Sequence, residues 1–403
     1  MHPRTILSLT GPLALGLCGL LLPGCDRADA LDHFPTQHRD NAAHAQAVAH
    51  HPRSGKVLTP GAALQKKAYQ SVDADTLYAP IRWTPEVLEG LARQRTLLQK
   101  RKLDRARYGN LAIDEAKLLF TLDRLLDNAE AGLPPLAGLD AHRLRGADQR
   151  GNVRFTGYYS PVVKVRRKAT RKYRFPIYRK PDWKGKLPTR REIDGPRQFL
   201  KKEKELVIAY AADPVAIYYM QLQGSGILQY AEDGSRQTLG YGGSNRHPYR
   251  SLDRFIVKQG KDFPLKSVAP AVIRRYLKRH PEMVDSLLFQ NPSYVFFRER
   301  RGSIRGAGHV PLLDGMTIAV DTRYVPLGSV LLGAVPVLNE HGKVSGHDYR
   351  LLLAQDTGGA IRGPGHVDLY HGVGDDAQRA AGRLHHYGRL WLLLDSGSSL
   401  AFN

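Results

Sequence analysis

Two aspartates near the C-terminal end, Asp356 and Asp368, are the residues best placed to do chemistry. Each closes or interrupts a short apolar run, LLLAQD and HVDLY, and each has a glycine-rich turn nearby. Carboxyls delivered by short apolar runs beside glycine-rich turns could belong to a functional site or merely cap the turns. Strand alternation puts Val367 and Leu369 on one face and His366, Asp368 and Tyr370 on the other. A carboxyl on a polar strand face, flanked by aromatics, suits the floor of a sugar site. Taken alone, an aspartate beside glycine is most often turn chemistry, so the rest of the chain has to decide.

The hydroxyl, amide and aromatic groups that would surround such a carboxyl lie far upstream. Asn152–Val163 reads NVRFTGYYSPVV, an aromatic strand in which Thr156, Gly157, Tyr158 and Tyr159 are candidates for lining a carbohydrate groove. QLQGSGILQY and GYGGSNRHPYRSL add Gln221, Gln223, Ser225, Asn245 and His247 as uncharged hydrogen bonders. Gly224-Ser225-Gly226 is not a phosphate loop, since the Walker lysine is missing.

The elements that position these groups can be read coarsely. Thr84-Pro85-Glu86 is a helix start, with an N-cap threonine, proline at the first helical position and an acid in the first turn. Asp114 opens a second helix with Leu118, Leu122 and Leu125 on one side. Glu205–Gln223 reads as strand. Two short helices fall within Ala271–Leu288, and Asn291–Glu299 is a strand. From Met316 onward, short apolar runs broken by Gly and Pro predict a small barrel, with one polar helix before the last strand.

The beginning of the chain sets the compartment. Arg4 precedes an apolar run from Ile6 to Leu22, followed by Leu22-Pro23-Gly24-Cys25, a secretory leader ending in a bacterial lipobox. Cys25 would be diacylated and become the first residue of the mature protein, anchored by more than one acyl chain. Asp26 leaves inner-membrane retention open beside the outer membrane. The only other cysteine, Cys18, lies inside the leader, so no disulfide is expected and the fold rests on its core. The following His-, Ala- and Pro-rich stretch holds His33, His38, His44, His50 and His51 without ligand spacing and reads as a solvated tether.

The formal charge is +22, with 60 Lys and Arg against 38 Asp and Glu. In an exported protein the available polyanions are anionic lipid and cell-wall carboxylates. No nucleic-acid-binding signature is present, and the export signal argues against a nucleic-acid partner.

Taken together, FTGYYSPV (155–162), QGSG (223–226), YGGSNRHPYRS (241–251), NPSYVFF (291–297), DTGGAIRG and HVDLYHG resemble the membrane-bound lytic transglycosylase A (MltA) family, in order and over nearly everything from Leu77 onward. The last part resembles the 3D domain, whose three aspartates map to Asp321, Asp356 and Asp368. The resemblance implies a mainly β fold with peripheral helices: a double-psi β-barrel, a second β-rich domain inserted into it, and a groove between them. The implied layout is a lipoprotein leader over 1–24, a flexible tether over 25–76, barrel over 77–160, insertion over 161–297 and barrel again over 298–403.

It also implies the reaction, cleavage of the β-1,4 bond between N-acetylmuramic acid and N-acetylglucosamine in peptidoglycan. The muramyl 6-hydroxyl attacks its own anomeric carbon and leaves a 1,6-anhydro ring. With the nucleophile tethered to the substrate, one carboxyl can act first as acid and then as base, with neither metal nor cofactor. Asp368 matches that residue. Asp356 is assigned a supporting role, and Asp321 a structural one. Thr156, Tyr158, Gln223, Ser225 and Gly358 are substrate-contact candidates. Other cell-wall enzymes are conceivable partners. A basic groove would favour glycan carrying carboxylates; activity on sacculi indifferent to ionic strength would count against that idea. Two alternatives stay open: an inverting hydrolase using Asp356 and Asp368 together, and a wall-binding lipoprotein without activity.

Overall fold

The computed structural model describes residues 68–397 except 75–76, 78–79, 101–105, 147, 186, 196–198, 200–201, 260–264 and 266. The leader, Cys25 and the histidines of the tether lie outside the described residues.

In chain order the strands are β1 (Tyr69–Val72), β2 (Ala106–Tyr108), β3 (Leu111–Ile113), β4 (Leu139–Leu144), β5 (Val153–Ser160), β6 (Val162–Arg166), β7 (Phe175–Tyr178), β8 (Val207–Ala211), β9 (Gly226–Tyr230), β10 (Arg236–Ser244), β11 (Val295–Arg300), β12 (Thr317–Ala319), β13 (Val330–Leu338), β14 (Val344–Asp356), β15 (His366–Val373) and β16 (His385–Asp395). Six of them close a ring, β16-β13-β14-β12-β15-β5, with β5 returning to β16. β12 runs parallel to β14, and β5 runs parallel to β15. β16 serves three partners: its first residues pair with β5, its middle with β13 and its end with β4.

The barrel is filled from the alternating apolar faces. Val153 and Phe155 of β5 and Val367 and Leu369 of β15 join Ile318, Leu331 and Trp391 in one core. The run Leu351–Ala354 is buried at every position, because both faces of β14 are covered, the usual cause of a strand that does not alternate. The outer cover includes the Pro85–Lys100 and Glu115–Glu130 helices, whose leucines 91, 97, 98, 118, 122 and 125 lie in the same core. Each such side chain contributes about 1.5–3 kcal/mol on burial. Both helices begin where their caps predict; the Asp114 side chain accepts from the Lys117 N–H. The polar helix before the last strand is Gly374–Arg383.

The second sheet has the order β11-β10-β9-β6-β8-β7, and a bridge between Arg179 and Phe297 brings its two ends together, so that it nearly closes. Its strands run from β6 to β11, all between β5 and β12 in the chain. Val165, Ile177, Ala209, Leu228 and Leu239 fill it.

Two expectations are corrected. Order begins before Leu77: β1 pairs with β4, Tyr69 is 2% exposed, and its hydroxyl donates to the Tyr324 carbonyl. So short a strand, with polar residues at 70 and 71, carries too little pattern to stand out from a tether. Glu205–Gln223 is strand only over β8, and Pro214–Gln223 is a helix. Its start carries both signals, Asp213 accepting from the Val215 N–H and Pro214 in the first turn. Val215, Ile217, Tyr218, Tyr219 and Met220 are all buried, and a helix covered on most sides loses the 3.6-residue polar period that would reveal it.

Candidate functional site

One row of residues crosses five barrel strands: Asp356 on β14, Ala319 on β12, Asp368 on β15, Thr156 on β5 and His385 on β16, each paired with the next. The two aspartates are thus separated by a single strand, at the small side chain of Ala319. A bulge in the β12–β14 pairing between Ile318 and Ala319 sets Asp356 into this register.

Asp368 lies on the face opposite Val367 and Leu369, as the alternation predicts. Its Oδ1 accepts from the Thr156 hydroxyl at 2.8 Å, and its Oδ2 takes no hydrogen bond from the described residues. Burial pushes its pKa from 3.8 up to about 7; the Thr156 bond and the Arg154 charge oppose the rise, while the Asp356 charge adds to it. A carboxyl raised this far toward neutrality meets the condition for a general acid.

Asp356 is occupied on both oxygens. Its Oδ1 accepts from the backbone N–H groups of Ala307 and Thr357, each at 2.8 Å, and its Oδ2 from the Tyr158 hydroxyl at 3.0 Å. Burial raises its pKa, against these three donors. Gly306 makes the seat possible, since a Cβ there would lie 2.7 Å from Asp356 Cγ.

The proposed substrate contacts separate by position. On β5, Thr156 and Tyr158 face the aspartates. Gly157 instead lies under the 374–383 helix, where a Cβ would come within 2.5 Å of Ala381 Cα. Tyr158 is 8% exposed and packs on Tyr370 with ring centroids 5.1 Å apart, so it offers the site its hydroxyl rather than an open ring face. Gln223 accepts from the Tyr159 N–H at 3.1 Å and ties the second module to β5. Arg274 strengthens that tie, donating to the Tyr159 hydroxyl and to Gln378 while lying 3.7 Å from the Tyr219 ring centre. Ser225 is half-buried beside this junction, and Gly358 forms the turn after Asp356, its carbonyl accepting from the Ile361 N–H.

Asn245 and His247 are spent inside their own module. Asn245 is fully buried, donates to the carbonyls of Pro188 and Pro292 and accepts from the Tyr294 N–H; a His247 ring nitrogen bonds the Leu187 carbonyl. They hold loops, which residue type alone does not distinguish from sugar contacts. Asp321 is paired with Arg323 and accepts from the Gly363 N–H at 2.7 Å. Burial works against its charge, but these donors outweigh it and hold its carboxyl below the usual range. Arg154 and Ala319 belong to the site and carry no local sequence signal. Among the described residues no group of three or more His, Cys, Asp or Glu side chains forms a metal site.

A mainly β protein with a closed six-stranded barrel, two aspartates one strand apart on its wall and a second, nearly closed sheet is the class this arrangement defines. Two family profiles match the chain, the MltA specific insert domain over residues 154–298 and the 3D domain over 316–394. Membrane-bound lytic murein transglycosylase A of Escherichia coli K12 is 38% identical over 259 residues, covering 64% of this chain and 69% of that protein. The crystal structure of E. coli MltA with bound chitohexaose superposes with a TM-score of 0.67 at 32% identity, over 81% of this chain and 94% of that one. The membrane-bound lytic murein transglycosylase structure from Agrobacterium tumefaciens gives 0.66 at 26% identity, over 81% and 98%. The chain belongs to the membrane-bound lytic murein transglycosylase A family.

Proposed function

We propose that Asp368 is the single proton-transfer group of a peptidoglycan lytic transglycosylase. The observation that carries this is the asymmetry of the two carboxyls. Among the described residues Asp368 keeps one oxygen free of hydrogen bonds, and burial raises its pKa to about 7. Asp356 has both oxygens engaged by three donors. A base that activates water for inverting hydrolysis needs an open acceptor position facing that water, and three of the about four positions on Asp356 are already taken.

In the proposed reaction, Asp368 protonates the glycosidic O4 of the leaving N-acetylglucosamine as the C1–O4 bond breaks. Positive charge develops at C1 and the ring oxygen of the muramyl residue. The resulting Asp368 carboxylate then takes the proton from the muramyl 6-hydroxyl as that oxygen bonds to C1. The acid is regenerated and no water is consumed. Tethering replaces a second catalytic group, since intramolecular attack has a high effective concentration. Asp356, one strand away, supplies negative charge that favours the positive transition state and keeps the Asp368 proton in place.

Gln223, Ser225 and Gly358 mark the substrate side of the site, and the row from Asp356 to Thr156 is its floor. The match of the 154–298 profile, the two sheets and the parentage of the relatives support a barrel interrupted by an insertion of about 161–297. Anchoring through diacylated Cys25 explains how a chain whose described residues include no helix long and apolar enough to cross a membrane would stay at the cell envelope. Replacing Cys25 with Ser should move the protein from the membrane to the soluble fraction; continued sedimentation with membranes would exclude that anchor.

Digestion of purified sacculi followed by mass spectrometry tests the reaction. The expected products end in 1,6-anhydro-muramic acid. Reducing-end muramic acid, heavier by one water, would replace the transglycosylase reading with hydrolysis.

A further inference from the structure

His366 lies two residues before Asp368 on the same strand face, yet the mechanism above gives it no work. Its ring is held on two sides. An Arg154 guanidinium nitrogen lies 3.1 Å from Nδ1 and 3.5 Å from Nε2, and the Thr156 hydroxyl lies 2.9 Å from Nε2. Arginine can only donate; Nδ1 is its nearer acceptor and Nε2 has the closer Thr156 hydroxyl as partner, which favours the ring proton on Nε2. The Nε2–H therefore donates to Thr156 Oγ1. That leaves the Thr156 proton free to be donated elsewhere, and two acceptors are within reach: Asp368 Oδ1 at 2.8 Å and the Val367 carbonyl at 3.4 Å.

We infer that His366, as a neutral imidazole, is a positioning residue that directs the Thr156 hydroxyl onto Asp368 Oδ1 and so leaves the acid proton on Oδ2. This rests on the reading of Asp368 as the acid. A threonine hydroxyl is a free rotor with one proton. Once His366 donates into Oγ1, the lone pair it uses is taken and the hydroxyl proton points at the carboxyl. Oδ1 is then an acceptor in both protonation states, and only Oδ2 is available to give a proton to the substrate and receive one back. Arg154 fixes the tautomer in the same way that a partner on one ring nitrogen of a histidine determines the role of the other.

The electrostatics agree. Burial, the Arg154 charge and His385 together hold His366 down to about 3, so the ring stays neutral wherever the enzyme works. The charged and titratable groups facing the pair are Arg154 on β5, His385 on β16, Asp356 on β14 and the buried hydroxyls of Tyr158 and Tyr370. Of these, Asp356 and Arg154 act directly on Asp368, in opposite senses. His366 carries no charge and acts through Thr156.

Nuclear magnetic resonance on the full chain tests this without relying on turnover. In the wild-type protein, ¹⁵N shifts should show an Nε2–H imidazole that does not protonate down to pH 5. A ring protonated on Nδ1, or charged at pH 6, would overturn the inference. The Asp368 carboxyl is then titrated by its ¹³C shift in a double-mutant cycle. Thr156→Val should raise its pKa by about one unit, the loss of one hydrogen bond to a charged group. His366→Phe should raise it in the same direction by freeing the hydroxyl to turn toward Val367. In the Thr156→Val background, His366→Phe should add nothing. A shift of equal size there would mean that His366 acts through Arg154 or general packing, and the inference would fail. His366→Gln, which keeps an N–H in reach of Thr156, should restore the wild-type value and guards against a poorly folding Phe variant. The two readings fail separately. Full activity of Asp368→Asn would remove the catalytic assignment and leave the relay standing, whereas an inactive Asp368→Asn with no coupling through Thr156 would remove only the relay.

Discussion

Asp368→Asn should abolish lysis of sacculi while raising thermal stability at alkaline pH. The loss follows from chemistry: asparagine cannot donate and retrieve a proton, and general acid–base catalysis by one group contributes about two to four orders of magnitude. We expect the larger end, because the same group serves both half-steps. The gain in stability follows from linkage. The Asp368 carboxyl titrates at about 7 in the folded protein against 3.8 when exposed, so the folded state holds its proton more tightly than the unfolded one. Stability from this group is complete below about pH 4 and is lost as pH rises toward 7. Asparagine removes that loss. The melting temperatures of variant and wild type should therefore converge near pH 4 and separate, with the variant higher, at pH 8. Retained activity would refute the assignment. Lower stability at pH 8 would show that the carboxylate is welcome in its site, contrary to its burial.

The same titration sets the pH dependence of the wild-type enzyme. In the proposed mechanism only protonated Asp368 starts the reaction, so kcat/KM should fall about tenfold per unit above pH 7. A profile that rises through pH 7 to 9 would require a base as the initiating group and would favour the hydrolytic alternative.

Gly157→Val should have a large effect although it removes no functional group. A side chain at 157 would meet backbone as well as side chains: Ala381 Cα at 2.5 Å, the Ala381 carbonyl oxygen at 2.8 Å and His371 Cδ2 at 2.8 Å. No rotamer relieves a clash at Cβ. Either the 374–383 helix lifts from β5 or β5 shifts against β15, and β5 carries Thr156 and Tyr158 to the two aspartates. Overpacking costs of about 3 kcal/mol or more are expected, with catalysis falling further than stability because a displacement of about 1 Å at a reacting group costs about a hundredfold. Thermal melting and sacculus digestion check the two parts. A variant as stable and active as the wild type would show that the helix can move away without disturbing the strand row.

Much of this was legible in the chain because its signals are local. Caps at Thr84 and Asp114, the polar helix at 374–383 and the alternation of His366–Tyr370 each depend on residues a few positions apart. The likeness of the ordered motifs to one family added the fold and the reaction. Where local patterns were weak they misled. The buried 214–223 helix lacks a polar face, β1 is too short to stand out, and Asn245 and His247 look like ligand-binding groups although they secure loops.

By itself the sequence determined that Asp368 would stand on the polar face of a strand, because a period of two leaves no other choice. It could not determine what stands beside it. Thr156 lies 212 positions away and Arg154 lies 212 positions before His366, and strand register across such distances is settled only when the barrel closes. Closure put Ala319 between the two aspartates, engaged both oxygens of Asp356, and left Asp368, among the described residues, with one oxygen bonded and one free. Two aspartates of the same residue type became different acids because desolvation and hydrogen bonding act through tertiary neighbours, which only the folded chain supplies.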